Sequence, residues 1–134
     1  MIRLLLTIAG WVLVNIATAQ ISFKLTLLPD DATYQVTMLS QVSYTAPDNL
    51  TSSGQVSLRV PHGTGDYRFE IVDFQNSSAN TAWVQNARVD APAEAPNWDY
   101  VSVGLVSPTD AYEYVAGTEV PLFSFKNGGI ACVD

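Results

Sequence analysis

The chain has 134 residues, of which 48% are hydrophobic and 14% charged, with 13 acidic side chains against 6 basic ones. That length fits one domain, and the high hydrophobic share with low charge density excludes a disordered chain. A formal net charge of −7 argues against nucleic acid as a partner, and a single cysteine excludes an intramolecular disulfide framework.

Residues 1–19 have the three-part layout of a secretory signal peptide. Met1-Ile2-Arg3 is a short positive region, Leu4 to Val14 is almost entirely apolar, and Ala17-Thr18-Ala19 is a small-x-small site. This layout predicts cleavage between Ala19 and Gln20. The alternative is a membrane anchor, but the apolar run is shorter than the roughly 20 residues that a transmembrane helix needs. We therefore expect a secreted or cell-surface protein with no membrane span after cleavage.

The mature chain, residues 20–134, shows little helical periodicity and consists of short alternating runs separated by turn residues. Alternation of apolar and polar side chains predicts strands, because successive side chains point to opposite faces. The seven predicted strands are Ile21–Leu27, Tyr34–Met38, Gln55–Val60, Tyr67–Ile71, Ala82–Val89, Trp98–Val106 and Glu119–Phe125. Strands that bury one face each need two stacked sheets. The sequence therefore predicts an all-β, antiparallel β-sandwich of immunoglobulin-like type, with the strand order left open.

The same alternation predicts which side chains share a face. Ile21, Phe23, Leu25 and Leu27 fall on one face of the first strand, and Val56, Leu58 and Val60 point inward from the third. The residues of the sixth strand that are available for burial are Trp98, Tyr100, Val101, Val103 and Leu105. We expect Trp98 and Tyr100 to fill the core between the sheets. Gln75 to Asn80 is polar and is predicted to be a loop.

Three blocks of the mature chain carry a family resemblance. They are SYTAPDNLTSSGQVSLRVPHGTGDYRFEI, APAEAPNWDYVSVGLVSP, and AGTEVPLFSFKNGG followed by a cysteine. Together they resemble the N-terminal cohesin-like β-sandwich domain of large secreted or cell-surface proteins of Bacteroidota-type bacteria, over roughly Gln20 to Cys132. The resemblance implies a bacterial extracellular module with a binding role, and it supplies neither a ligand nor functional residues. In such proteins the polypeptide continues after the cysteine, so it stays open whether this chain is a whole protein or the front of a longer one.

Enzyme signatures are absent from the sequence. There is no G-x-S-x-G, H-E-x-x-H, phosphate-binding loop or dinucleotide fingerprint. The one histidine, His62, lies in a turn-forming Pro-His-Gly-Thr-Gly segment, and nothing in the sequence places a nucleophile beside it. We therefore expect a protein that is not an enzyme.

Acidic side chains provide the one candidate metal site. Asp90, Glu94 and Asp99 flank a proline-bearing loop, and calcium takes carboxylate and carbonyl oxygens from such loops. No D-x-D-x-D-G pattern accompanies them, so the simpler interpretation is that they solvate the loop. These acids also suggest a catalytic alternative, an extracellular hydrolase with paired carboxylates.

Aromatic residues in the second half provide a candidate ligand surface. Exposed rings stack on sugars or anchor a protein partner, and Trp83, Tyr112 and Tyr114 are the candidates. Tyr112 and Tyr114 are expected to be exposed because they lie in a loop-rich stretch. Cys132 is either the site of a bond to another chain or segment, or a small buried side chain.

The leading hypothesis is a secreted or cell-surface, non-catalytic β-sandwich that mediates binding or adhesion to an extracellular protein or polysaccharide. The first alternative is a carbohydrate-binding module, and the second is the hydrolase. No cofactor is predicted apart from the calcium alternative, and the oligomeric state is not readable from the sequence.

Overall fold

A computed structural model describes residues 21–51, 53–79, 81–108, 112 and 114–130. The predicted signal peptide, its cleavage site at Ala19 and Gln20, and Cys132 lie outside the described residues. Within the described ranges, no helix has the length and apolar character that crossing a membrane requires.

The described part of the chain forms seven β-strands and one short 3₁₀ helix, so the prediction of an all-β fold is confirmed. The strands are β1 (Ile21–Leu27), β2 (Thr33–Ser40), β3 (Gln55–Pro61), β4 (Ile71–Asn76), β5 (Thr81–Asp90), β6 (Trp98–Pro108) and β7 (Glu119–Asn127). The 3₁₀ helix spans Gly65–Tyr67 and follows β3.

The strands make two antiparallel sheets. Sheet I has four strands in the order β1-β2-β7-β4, and sheet II has three in the order β3-β6-β5. Several neighbours are far apart in sequence, because β7 lies between β2 and β4 and β6 lies between β3 and β5. The two sheets pack face to face, which confirms the antiparallel β-sandwich.

The core lies between the inner faces of the sheets. Its most deeply buried aliphatic and aromatic side chains come from the central strands of both sheets, namely Val36, Val101, Val103, Phe123 and Phe125. Rings cross between the layers: the Trp83 ring lies 5.6 Å from that of Phe123. The alternation of β3 is complete, since Val56, Leu58 and Val60 are buried as predicted and the residues between them are exposed.

The fourth strand does not lie where the sequence predicts it. The segment predicted as Tyr67–Ile71 begins inside the 3₁₀ helix, and β4 runs over Ile71–Asn76, into the segment predicted to be a loop. Gln75 and Asn76 pair with Ser124 and Phe123 of β7 through the backbone. Only the last two residues of β4, Gln75 and Asn76, fall in that polar segment, where an edge strand tolerates solvated side chains.

The predicted burial of Trp98 and Tyr100 is also wrong. Asp99, Val101 and Val103 of β6 are fully buried, and successive strand residues face opposite sides. Trp98 and Tyr100 therefore lie on the outer face of sheet II, where both are only partly covered.

The packing predicts a contrast between two valines of sheet II. Val101 is fully buried, whereas Val89 on the edge strand is 52% exposed. We expect Val101→Ala to lower the free energy of unfolding by about 2 kcal/mol, through lost methyl burial and the cavity that remains. Val89→Ala, the matched control, is expected to change it by less than about 0.5 kcal/mol. Urea denaturation measures both, and equal losses would contradict the placement of β6.

Candidate functional site

The three predicted ligand-binding aromatics are buried. Trp83, Tyr112 and Tyr114 expose only 3%, 9% and 6% of their surface. Trp83 Nε1 donates to the Tyr112 hydroxyl at 2.8 Å, and Thr51 bonds to the Tyr114 hydroxyl. The expected exposure of Tyr112 and Tyr114 is therefore wrong. These rings fill the end of the core where β5 begins, which we call the upper end, so they offer no open stacking platform.

The three predicted metal ligands are not brought together as a coordination site. Asp90 accepts from Arg88 and Arg68, while Glu94 is exposed in its loop. Among the described residues, no group of three or more histidine, cysteine, aspartate or glutamate side chains is placed to hold a metal ion. The calcium interpretation of Asp90, Glu94 and Asp99 is thus left without a ligand cluster in this part of the chain.

Asp99 instead centres a buried polar network that the sequence analysis missed. Its side chain is fully buried, and its carboxylate accepts from His62 Nδ1 at 2.7 Å, Arg88 Nη2 at 3.0 Å and the Ala91 backbone N–H at 3.0 Å. Arg88 also donates to the Phe69 carbonyl oxygen at 2.6 Å. A signal for this network exists in the sequence, since Asp99 alternates with Val101 and Val103 and is thereby placed inward.

The network joins the strands at the end of sheet II where β3 and β5 end and β6 begins, which we call the lower end. Every donor to the Asp99 carboxylate comes from a different strand or loop, so each contact joins two segments of the chain. Among the described residues, no serine, threonine or cysteine side chain hydrogen-bonds to His62. The pair of His62 and Asp99 resembles the carboxylate–imidazole part of a nucleophilic site, and the described residues place no nucleophile beside it.

The outer face of sheet II carries an exposed aromatic and cationic row. The Arg59 guanidinium lies 4.3 Å from the centre of the Trp98 ring. Arg59 is also opposite Tyr100 across the β3–β6 pair, and Tyr100 is opposite Val89 across the β5–β6 pair. A guanidinium over an indole is an attractive contact that holds both groups in place. The row therefore consists of two partly exposed rings, one cation and one exposed valine, with Arg59 held against Trp98.

Small polar groups continue this face towards the upper end. The Ser57 and Ser102 hydroxyls are 3.0 Å apart on adjacent strands. A side chain at Gly104 would collide with Asn86, because its Cβ would lie 2.2 Å from the Asn86 amide nitrogen. The outer face of sheet II thus combines aromatic rings with hydroxyl and amide groups, and Arg59 is the one charged side chain of the row described above.

A second exposed feature is the side of the sandwich formed by β1 and β3, which we call the open side. Sheet I has one strand more than sheet II, so β1 extends beyond it. Phe23, Leu25 and Leu27 share the inner face of β1, as predicted, but are 47%, 44% and 47% exposed. A groove of about 230 Å³ lies between Leu25 and residues 57–60 of β3.

The buried network predicts the effect of removing the Asp99 charge. We expect Asp99→Asn to lower the free energy of unfolding by about 2 kcal/mol, because Arg88, whose side chain is only 11% exposed, loses one of its carboxylate partners and keeps Asp90 as the other. Glu94→Gln, in the loop before β6 and exposed, is the control and should leave stability unchanged. Thermal and urea denaturation measure both variants, and a stable Asp99→Asn protein would contradict the structural role of the network.

The contacts of Asp90 predict sensitivity to acid. The hydrogen bond from Arg88, reinforced by one from Arg68, holds the pKa of Asp90 below its usual value. A lowered pKa favours the folded state above the unfolded pKa of about 3.9, and this contribution is lost as pH falls through the folded pKa. We expect Asp90→Asn to lower stability at pH 7 and to flatten the acid limb below about pH 4. Denaturation curves from pH 7 to pH 2 test this, and an acid limb identical to that of the wild type would contradict it.

Comparisons of the chain with family models, with curated proteins and with solved structures gave no match. The resemblance to cohesin-like domains therefore stays a prediction from the sequence blocks.

Proposed function

We propose that this protein is a secreted or cell-surface binding module that mediates adhesion without catalysis, and that it binds its ligand on the outer face of sheet II. The observation that carries the proposal is the ordered row of Trp98, Arg59 and Tyr100 on an otherwise uncharged part of a sheet. Aromatic rings and arginine are the side chains that contribute most to binding at protein surfaces. Secretion rests on the signal-peptide pattern of residues 1–19.

Binding on this face needs little rearrangement. Trp98 and Tyr100 stand on the central strand of sheet II, which is hydrogen-bonded on both sides. Arg59 is held against the indole before any ligand arrives. Rings that are already fixed lose little side-chain entropy on binding, so more of the contact energy remains as affinity.

A polysaccharide is the second candidate ligand, favoured by the combination of groups on this face. Two partly exposed rings stand beside the Ser57 and Ser102 hydroxyls and the Asn86 amide. Sugars present apolar ring faces and many hydroxyl groups, which suits stacking on aromatic rings together with neutral hydrogen-bonding groups. This alternative moves the stacking role from Trp83, Tyr112 and Tyr114 to Trp98 and Tyr100.

The proposal predicts that Trp98→Ala weakens binding. The protein would be applied to immobilised glycans and to surface-adsorbed extracellular proteins, with affinity measured on the surface that retains it. We expect an affinity loss of about tenfold for Trp98→Ala, equivalent to about 1.4 kcal/mol, and a similar loss for Tyr100→Ala. Ser124→Ala, on sheet I, is the control, and circular dichroism checks folding.

The outcomes separate the alternatives. Retention by glycans alone would establish the carbohydrate-binding alternative, and retention by proteins alone would establish the leading one. Unchanged binding by both aromatic variants would remove the outer face of sheet II as the ligand site. Hydrolysis of a polysaccharide by the wild-type protein, lost in Asp99→Asn while the fold is retained, would replace the non-catalytic function with the hydrolase.

A further inference from the structure

We propose that the open side binds an extended polypeptide strand from another molecule, which adds as a fourth strand of sheet II to the edge of β3 that pairs with no other described strand. The occupant would complete the shorter sheet and cover the inner face of β1. This surface is separate from the outer face of sheet II, so the inference goes beyond the proposed function and is tested independently of it.

The edges of the sandwich differ in their protection against strand addition. β4 shifts register between Val72 and Gln75, where Asp73 has a φ of 51°. β5 has two such shifts. The backbone N–H of Trp83 donates to the Asn76 side chain, and the backbone carbonyl oxygen of Trp83 accepts from it. Bulges of this kind blunt an edge against a further strand. By contrast, β1 pairs with β2, and β3 with β6, without a register shift over seven residues. The regular edges are therefore those of the open side.

The inner faces of β1 and β3 also carry no charged side chain. Lys24 of β1 is on the outer face of sheet I, where its ammonium group is 2.8 Å from Glu119. Arg59 of β3 is on the outer face of sheet II, over Trp98. Inward-pointing charges are a common protection of edge strands, and here the inward positions hold Phe23, Leu25 and Leu27 instead. An added strand would remove water from these three side chains.

Two further depressions lie near the groove. Above it, a depression of about 300 Å³ is lined by Ile21, Tyr44, Asp48 and Ser53 among others. Below it, one of about 260 Å³ is lined by Asp31, Tyr34 and Lys126 among others, and Tyr34 also lines the central groove. A strand that pairs with all of β3 extends about 23 Å, at about 3.3 Å per residue.

The surroundings define the chemistry of the occupant. Its inward side chains meet Leu25, Leu58 and Phe125 and must be apolar, and because strand side chains alternate, every second residue is apolar. Its outward side chains continue the face that carries Ser57 and Arg59 and are polar. Asp48 lines the upper depression, whereas the lower one is lined by both Asp31 and Lys126. A basic residue at the upper end of the strand therefore complements the protein.

A second copy of this chain fits the groove less well. Ile21 and Ser53 line the same depression, so β1 and β3 start at the same end and run in the same direction. A copy that donates its own β1 while keeping it in sheet I needs a two-fold axis along the strands, which makes the β1–β3 pair parallel. Parallel pairs are slightly less stable than antiparallel ones. A separate strand is free to pair antiparallel, as every neighbouring pair in both sheets does.

The test uses a synthetic peptide that alternates valine and threonine over the length of β3, with one lysine at its C-terminal end, which antiparallel pairing places near Asp48. We expect saturable binding by isothermal titration calorimetry, a higher melting temperature with peptide, and slower hydrogen exchange in β3 but not in β4. A control peptide of the same composition, with its valines grouped in one half, should bind at least about tenfold more weakly because its apolar side chains do not share a face.

Matched variants locate the site. Leu25→Lys places a charge in the groove and should lower peptide affinity at least about tenfold, equivalent to about 1.4 kcal/mol or more. Val84→Lys, on edge strand β5 with a similar exposure of 39%, should leave it unchanged. Leu27→Lys repeats the first test if circular dichroism shows that Leu25→Lys does not fold.

Three results would overturn the inference. They are the absence of peptide binding, equal binding of the two peptides, and full affinity in the folded groove variants. A fourth result would replace it: a peptide-free protein that dimerises with concentration by analytical ultracentrifugation, and becomes monomeric with Leu25→Lys, would make a second copy the occupant.

Discussion

The structure depends on the burial of one face of β6 between the sheets. Asp99, Val101 and Val103 of this strand are inaccessible to water, and they meet the buried side chains of β7 and β2 across the interlayer. Because side chains alternate, burying this set fixes Trp98 and Tyr100 on the opposite face. One choice of strand face therefore decides both what stabilises the sandwich and what it presents to a ligand.

A carboxylate in the buried row requires compensation. A buried charge costs several kcal/mol unless it is paired and hydrogen-bonded, and Asp99 receives donors from His62, Arg88 and the Ala91 backbone. Arg88 in turn donates to Asp90, which also receives a hydrogen bond from Arg68. The charged side chains at the lower end therefore link neighbouring segments of the chain to one another. A catalytic interpretation of the same acids would need them to give up these partners.

Sheet I has four strands and sheet II has three, which leaves apolar side chains uncovered on the open side. Where sheet II ends, β1 continues alone, and its inner apolar residues remain about half exposed. The edge strands β4 and β5 have register shifts, and the Asn76 side chain hydrogen-bonds to the backbone of β5. Both features limit pairing with a further strand. The molecule thus has one protected side and one open side, while its outer face on sheet II carries the aromatic row.

The sequence alone determined the fold class and most of the strands, because period-two alternation is a local property that survives whatever the neighbours are. It also determined the inward set of β3 and the shared face of Phe23, Leu25 and Leu27. Only the tertiary structure decided which faces are covered, since that depends on the order and number of strands in each sheet. For this reason Tyr112 and Tyr114 proved buried, Trp98 and Tyr100 proved to face outward, and β4 extends into a segment that the sequence predicts to be a loop. The pairing of His62 with Asp99, which are 37 residues apart, likewise followed only from the register between β3 and β6.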